Sequence, residues 1–158
     1  MSEPSSRSGM LYLTLAVAVL SLGVAVFAVL RTVDRDPDYT DGQRAEARTA
    51  ICAAFDTVRT GVATNTNIEP PGGSGDITGA LAVAANARIA LIDGGQYLLA
   101  RLDPATSTDL AGDVRRFANQ LMDIGAAATA GVPNSDPAQA ARLQDAEQAS
   151  TAISGRCQ

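Results

Sequence analysis

The sequence predicts an all-α protein: one N-terminal transmembrane helix followed by an extracytoplasmic antiparallel four-helix bundle. Three observations carry this reading. Residues 10–30 read MLYLTLAVAVLSLGVAVFAVL, with no charge and no proline. After residue 40, apolar side chains recur three and four positions apart in four successive stretches, the spacing of one helix face. No stretch alternates apolar and polar residues, and β-branched residues do not cluster, so no sheet is expected.

The apolar run comes first. As a helix it covers ~32 Å at about 1.5 Å per residue, enough to cross a hydrocarbon layer of ~30 Å. A cleavable signal has a shorter core, roughly 7–15 residues, and a small-residue cleavage site after it. Here the run ends Val29-Leu30-Arg31-Thr32, without such a site. A lipoprotein signal would need a cysteine directly after the run, and the first cysteine is Cys52. The reading is an uncleaved anchor over 10–31, with a cytoplasmic tail 1–9 and a linker 32–40 ahead of the bundle at 41–158. Flanking charge points the other way, since Arg31, Arg35 and Arg44 outnumber Arg7. Long domains, however, are translocated largely regardless of charge.

Within the span Thr14, Ala18, Ser21, Ala25 and Ala28 follow a 4-3-4-3 spacing, which places them on one face. Small side chains allow a second helix to approach closely in a bilayer, so this is a candidate partner face. The alternative is that an Ala-rich chain produces such stripes by composition.

The linker holds Pro37 and the alternating Asp34, Asp36 and Asp38. A calcium loop would need Gly at its sixth position and a carboxylate at its twelfth. Tyr39 and Ala45 stand there, and a solvated acidic linker is the simpler reading. The first bundle helix is expected over about 41–64, with Thr40 and Gln43 as a capping box and Ile51, Phe55, Val58 and Val62 as its apolar face. Glu69-Pro70-Pro71-Gly72-Gly73-Ser74-Gly75 cannot continue a helix.

Asp76 opens a second helix, about 76–102, with Ile77, Leu81, Ala84, Leu91, Leu98 and Leu102 near heptad spacing and Arg88 and Gly95 in the gaps. Asp93-Gly94-Gly95 interrupts it, but the pattern resumes in phase, so one helix with a soft centre is expected. The third, about 107–130, repeats Leu110, Val114, Phe117, Leu121, Ile124 and Ala128, with Thr106 or Thr108 as cap and Gly131 and Pro133 at its end. The fourth, about 137–154, starts with Asp136 as cap and Pro137 as first residue. Its weaker face is Leu143, Ala146, Ser150 and Ile153, and Gly155 is expected to stop it.

An up-down-up-down order brings the end of the fourth helix beside the early part of the first. That places Cys157 near Cys52, and a disulfide between them is expected, which implies an oxidising compartment. Two free thiols are the alternative. A redox pair is disfavoured, because there is no CxxC spacing and no basic neighbour other than Arg156.

Composition narrows the function. There is no His and no Lys, so all twelve basic residues are Arg. This excludes a Ser–His triad, a Schiff-base lysine, a P-loop and a His-ligated zinc. Gly72-Gly73-Ser74-Gly75 is read as a flexible turn and not as a phosphate loop. Two cysteines cannot close a structural zinc site alone. No catalytic residue, metal or cofactor is expected. A net charge of −5 without a basic cluster argues against nucleic acid as a partner.

The opening MSEPSSRSGMLYLTLAVAVLSLGVAVFAVLR, the Ala/Arg-rich and Lys-free body and the Cys52/Cys157 pair resemble small single-pass envelope proteins of actinobacteria. The likeness is to the lipid uptake coordinator type, an accessory subunit of the mycobacterial Mce lipid importer. Other Mce-associated membrane proteins carry a β-rich domain after the anchor, and this chain reads as helical. The resemblance implies a lipid-transport assembly in the inner membrane, with Mce transporter subunits as partners. The expectation is a non-catalytic accessory subunit. The alternative is an extracytoplasmic ligand sensor signalling through its span, with the short tail as an obstacle to output.

Overall fold

The computed structural model describes residues 12, 15–27 and 38–158, Ser74 by its backbone alone. The expected tail, Thr14 and Ala28 of the membrane face, and Asp34 and Asp36 of the linker lie outside the described residues. All regular structure among the described residues is helical. The chain divides into two units, Met1–Asp38 and Tyr39–Gln158.

In the first unit helix α1 covers Leu15–Phe27. Its side chains are exposed throughout. The Ser21 hydroxyl donates to the Ala18 carbonyl at 2.9 Å. That bond satisfies the hydroxyl inside its own helix.

The second unit is a helical bundle of α2 (Asp41–Thr66), α3 (Ile77–Arg101), α4 (Thr108–Thr129) and α5 (Pro137–Cys157). Helix α2 opens with the capping box. The Gln43 N–H donates to Thr40 Oγ1 at 3.2 Å, and the Thr40 N–H donates to Gln43 Oε1 at 2.9 Å. The helix runs past its expected end to Thr66. Asn65, Thr66 and Asn67 donate from their side chains to the carbonyls of Gly61, Val62 and Ala63, so polar residues that usually break helices are satisfied within this one.

The Gly-rich turn that follows takes Gly73 into the left-handed region at φ 74°. Asp76 then caps α3, accepting from the Gly79 N–H at 2.8 Å. The helix is continuous through Asp93-Gly94-Gly95, and the glycines have a packing role. A Cβ on Gly94 would lie 2.8 Å from Val58 Cγ1 in α2, and one on Gly95 would lie 2.6 Å from the Ala118 carbonyl oxygen in α4. Gly125 makes the reciprocal approach, where a Cβ would meet Ile92 Cγ1 at 2.8 Å. The centre of α3 is therefore where three helices come close.

Neither Thr106 nor Thr108 caps α4. Ser107 holds the cap position and makes no side-chain cap bond. Asp103 organises the turn instead, accepting from the Ala105 N–H through its side chain at 2.7 Å and from the Thr106 N–H through its carbonyl at 3.0 Å. At the other end Gly131, at φ 84°, donates to the Ala128 carbonyl, and Val132 donates to that of Ala127. This is a Schellman termination. Asp136 caps α5 by accepting from the Ala138 and Gln139 N–H groups at 2.9 and 3.1 Å. Gly155 does not stop α5, which continues to Cys157 because its last turn is held from outside, as described below.

Chain-adjacent helices run antiparallel. Gly95 and Gly125 meet Ala118 and Leu91, and Gln139 donates to the Ile124 carbonyl while Arg156 reaches Asp113. The core joins Ile51 and Phe55 of α2, Leu98 of α3, Val114 and Phe117 of α4 and Ile153 of α5. Phe55 and Phe117 pack edge to face with centroids 5.4 Å apart.

Candidate functional site

Two features distinguish the ends of the bundle. At one end α5 is clasped to α2 and α4. Cys52 and Cys157 are joined by a disulfide with Cα atoms 5.7 Å apart, so the expected pair is bonded. One turn earlier on α2, Arg48 donates to the Arg156 carbonyl from Nε and Nη2 at 3.0 and 2.7 Å. The Arg156 side chain donates from Nε to Asp113 at 2.7 Å and from Nη1 to Asp109 at 3.4 Å. The hydrogen bond to Asp113 raises the Arg156 guanidinium above its ordinary value, with further attraction from both aspartates against some desolvation. Asp113 is buried, and its other oxygen lies 3.9 Å from Arg116, so this buried carboxylate has a cation on each side.

Beyond the clasp α2 and α5 face each other across an apolar cleft of about 490 Å³. Its floor is Leu91 of α3 and Phe117, Leu121 and Ile124 of α4. Val62 and Leu143 form the walls, and Arg59, Arg88 and Glu147 are the charged groups on its lining. Arg88 is half-buried, and its Nε donates to the Ala128 carbonyl at 3.2 Å. Among the described residues no carboxylate lies within 4 Å of its guanidinium. A second hollow, near Tyr39, Glu46, Arg101 and Asp103, has a volume of about 730 Å³ but lacks a floor of large buried apolar side chains.

The apolar side chains that α3 leaves exposed are the third feature. Ile77, Leu81 and Ile89 are 76%, 66% and 55% exposed. Among the described residues α3 is the helix long and apolar enough to cross a membrane, yet only 6% of its most apolar window is buried. Of the expected apolar face, Leu91 and Leu98 enter the core, whereas Ile77 and Leu81 do not. The described span of α1 is shorter.

Ala18, Ser21 and Ala25 of the expected membrane face are exposed on α1. The cleft is absent from the expectations drawn from sequence, and its signals there are misfits in the apolar stripes. Arg88 occupies an inward register on α3, and Ser150 one on α5; both line the cleft. Among the described residues there is no group of three or more His, Cys, Asp or Glu side chains placed to hold a metal.

Comparison with known proteins adds no relative. No protein-family model matches the chain, and neither a curated protein nor a solved structure does.

Proposed function

We propose that this protein is a non-catalytic, single-pass accessory subunit of an inner-membrane complex, and that an Mce-type lipid importer is the complex it serves. In this reading the 10–31 segment anchors the chain and the antiparallel four-helix bundle lies outside the cytoplasm. The observation that carries it is the set of large apolar side chains that α3 leaves exposed, Ile77, Leu81 and Ile89. Large apolar side chains left uncovered on one helix of a folded domain point to an interaction site. The occupant is an integral membrane subunit, held at the bilayer as the anchored bundle is. The Cys52–Cys157 bond supports an oxidising compartment for the bundle.

Co-purification in mild detergent at native expression tests this. A stoichiometric membrane partner is expected with the unaltered chain, and its loss with Leu81→Glu plus Ile89→Glu, since both side chains are exposed and their replacement leaves the core intact. In the anchor, Ala18→Leu with Ala25→Leu should also release the partner, whereas Val17→Leu with Val24→Leu, on another face, should not. A chain that migrates alone, or a partner retained by both damaging variants, overturns the proposal.

The cleft favours a second reading, a ligand-binding domain that signals through its span. Its volume falls in the range of small-molecule sites, roughly 300–1,000 Å³.

A further inference from the structure

We infer that the cleft between α2 and α5 binds an amphipathic anion, a single apolar body ending in a carboxylate or a phosphate. The inference deepens the ligand-binding reading and is independent of the subunit reading.

The apolar half of the ligand follows from the floor. Leu91, Phe117, Leu121 and Ile124 present hydrocarbon and an aromatic ring to the cleft. A polar molecule lying there would lose its hydrogen bonds to water without replacement. The volume of about 490 Å³ lies within the range of small-molecule sites, roughly 300–1,000 Å³, and admits a medium-length acyl or alkyl chain.

The anionic half follows from Arg88. A half-buried guanidinium is costly unless its charge is met. Its Nε is used on the Ala128 carbonyl, near the end of α4, where a cation also suits the helix dipole. That contact accounts for one donor of five and supplies no full counter-charge. A carboxylate or phosphate at the cleft would supply it through the Nη groups.

Arg59 provides a second cation on the lining. Its partner is Asp56 at 3.3 Å, and both side chains are more than half exposed. Such a surface pair is worth little, so Arg59 can turn to a ligand at small cost. Glu147, also on the lining and exposed, disfavours a second negative charge, so a singly charged head, a carboxylate or a phosphodiester, is preferred.

The test uses the full chain in nanodiscs of zwitterionic lipid, with photoreactive diazirine probes of equal chain length. The probes are a dodecanoate, a dodecyl methyl phosphate and a dodecyl-trimethylammonium control. Cross-linked peptides are mapped by mass spectrometry. The two anionic probes should label Phe117, Leu121 or Leu143, and the cationic probe should not. The ratio between the carboxylate and phosphate arms separates a free fatty acid from a phosphate headgroup.

Arg88→Gln should reduce cleft labelling about tenfold, the value of one lost charge-assisted contact, and Arg88→Lys should restore part of it. Arg59→Gln, at an exposed pair, gives a variant in which folding is not at stake, and it should weaken labelling less. Labelling of the cleft by all three probes alike would keep a ligand site but overturn the anion. So would unchanged labelling in both Arg→Gln variants. Labelling confined to α1 or to Ile77, Leu81 or Ile89 of α3 would overturn the anion and the ligand-binding reading together, leaving the subunit reading as it stands.

Discussion

At the scale of single residues, the glycines give the sharpest prediction, because the same substitution should act with opposite sign at two sites. Gly95 sits where a Cβ would be 2.6 Å from the Ala118 carbonyl oxygen. Backbone cannot turn aside as a flexible side chain can, so Gly95→Ala should force α3 and α4 apart and destabilise by about 1–3 kcal/mol. The helix propensity gained, about 1 kcal/mol, offsets only part of that. Gly112 is exposed on α4, and a methyl group placed there would meet nothing within 4 Å, so Gly112→Ala should be neutral or stabilise by up to ~1 kcal/mol. Thermal unfolding of the two variants side by side checks the pair. Residue-level legibility is poorest on α5. Spacing marks Leu143 and Ser150 as part of its apolar face, yet Leu143 is 38% exposed, while the polar Gln139 is as fully buried as Ile153. Gln139 donates to the Ile124 carbonyl and accepts from Arg142, so its burial depends on partners from another helix and on a neighbouring turn. Hydropathy spacing has no access to such a bond.

At the scale of elements, helix ends are legible where a side chain forms the cap and illegible where tertiary contacts hold the end. Thr40 and Asp136 stand out in sequence because their oxygens accept from their own helix, a relation written locally. Replacing either by alanine should therefore cost about 1 kcal/mol. Ser107→Ala should cost close to nothing, since that side chain makes no cap bond and the α4 entry rests on Asp103. Denaturant titration of the three variants separates them. The end of α5 is illegible because Gly155 is a local stop signal overruled by distant groups, Cys52, Arg48 and Asp113. The guanidinium in that clasp has a raised value. Its contribution is fully present below the ordinary arginine range and is lost only as pH rises through the raised value, so common buffers leave it charged.

At the scale of the whole molecule, the helical class and the number and approximate extents of the bundle helices follow from periodicity, because each helix buries one face. The cleft does not follow. It exists because α2 and α5 close on each other at one end only, and the spacing of apolar residues within a helix does not say how far two helices part. The disulfide is legible through the antiparallel order, and its removal gives the prediction at this scale. Its cysteines are 105 positions apart. Reduction, or Cys52→Ser with Cys157→Ser, should cost about 4–5 kcal/mol in the chain-entropy account. Calorimetry should show a lowered melting temperature with helicity retained, because α3 and α4 keep their packing without it. A melting temperature unchanged by reduction would mean that the Arg48 and Arg156 contacts alone hold α5 in place.

The antiparallel pairing of successive helices also has a consequence in time. Each of α2–α3, α3–α4 and α4–α5 needs only a short turn to close, so nearly all the packing is reached through small loops and at little entropic delay. Only the meeting of α2 with α5 spans the full length of the bundle. Hairpins of helices form on the microsecond scale, while thiol oxidation takes seconds or longer. The covalent bond therefore closes a bundle that has already assembled, and it selects no topology. Its effect falls on the rate of opening, because contacts completed after the folding transition state slow the return path. In an oxidising compartment the clasp thus converts a fast-folding bundle into one that is slow to come apart.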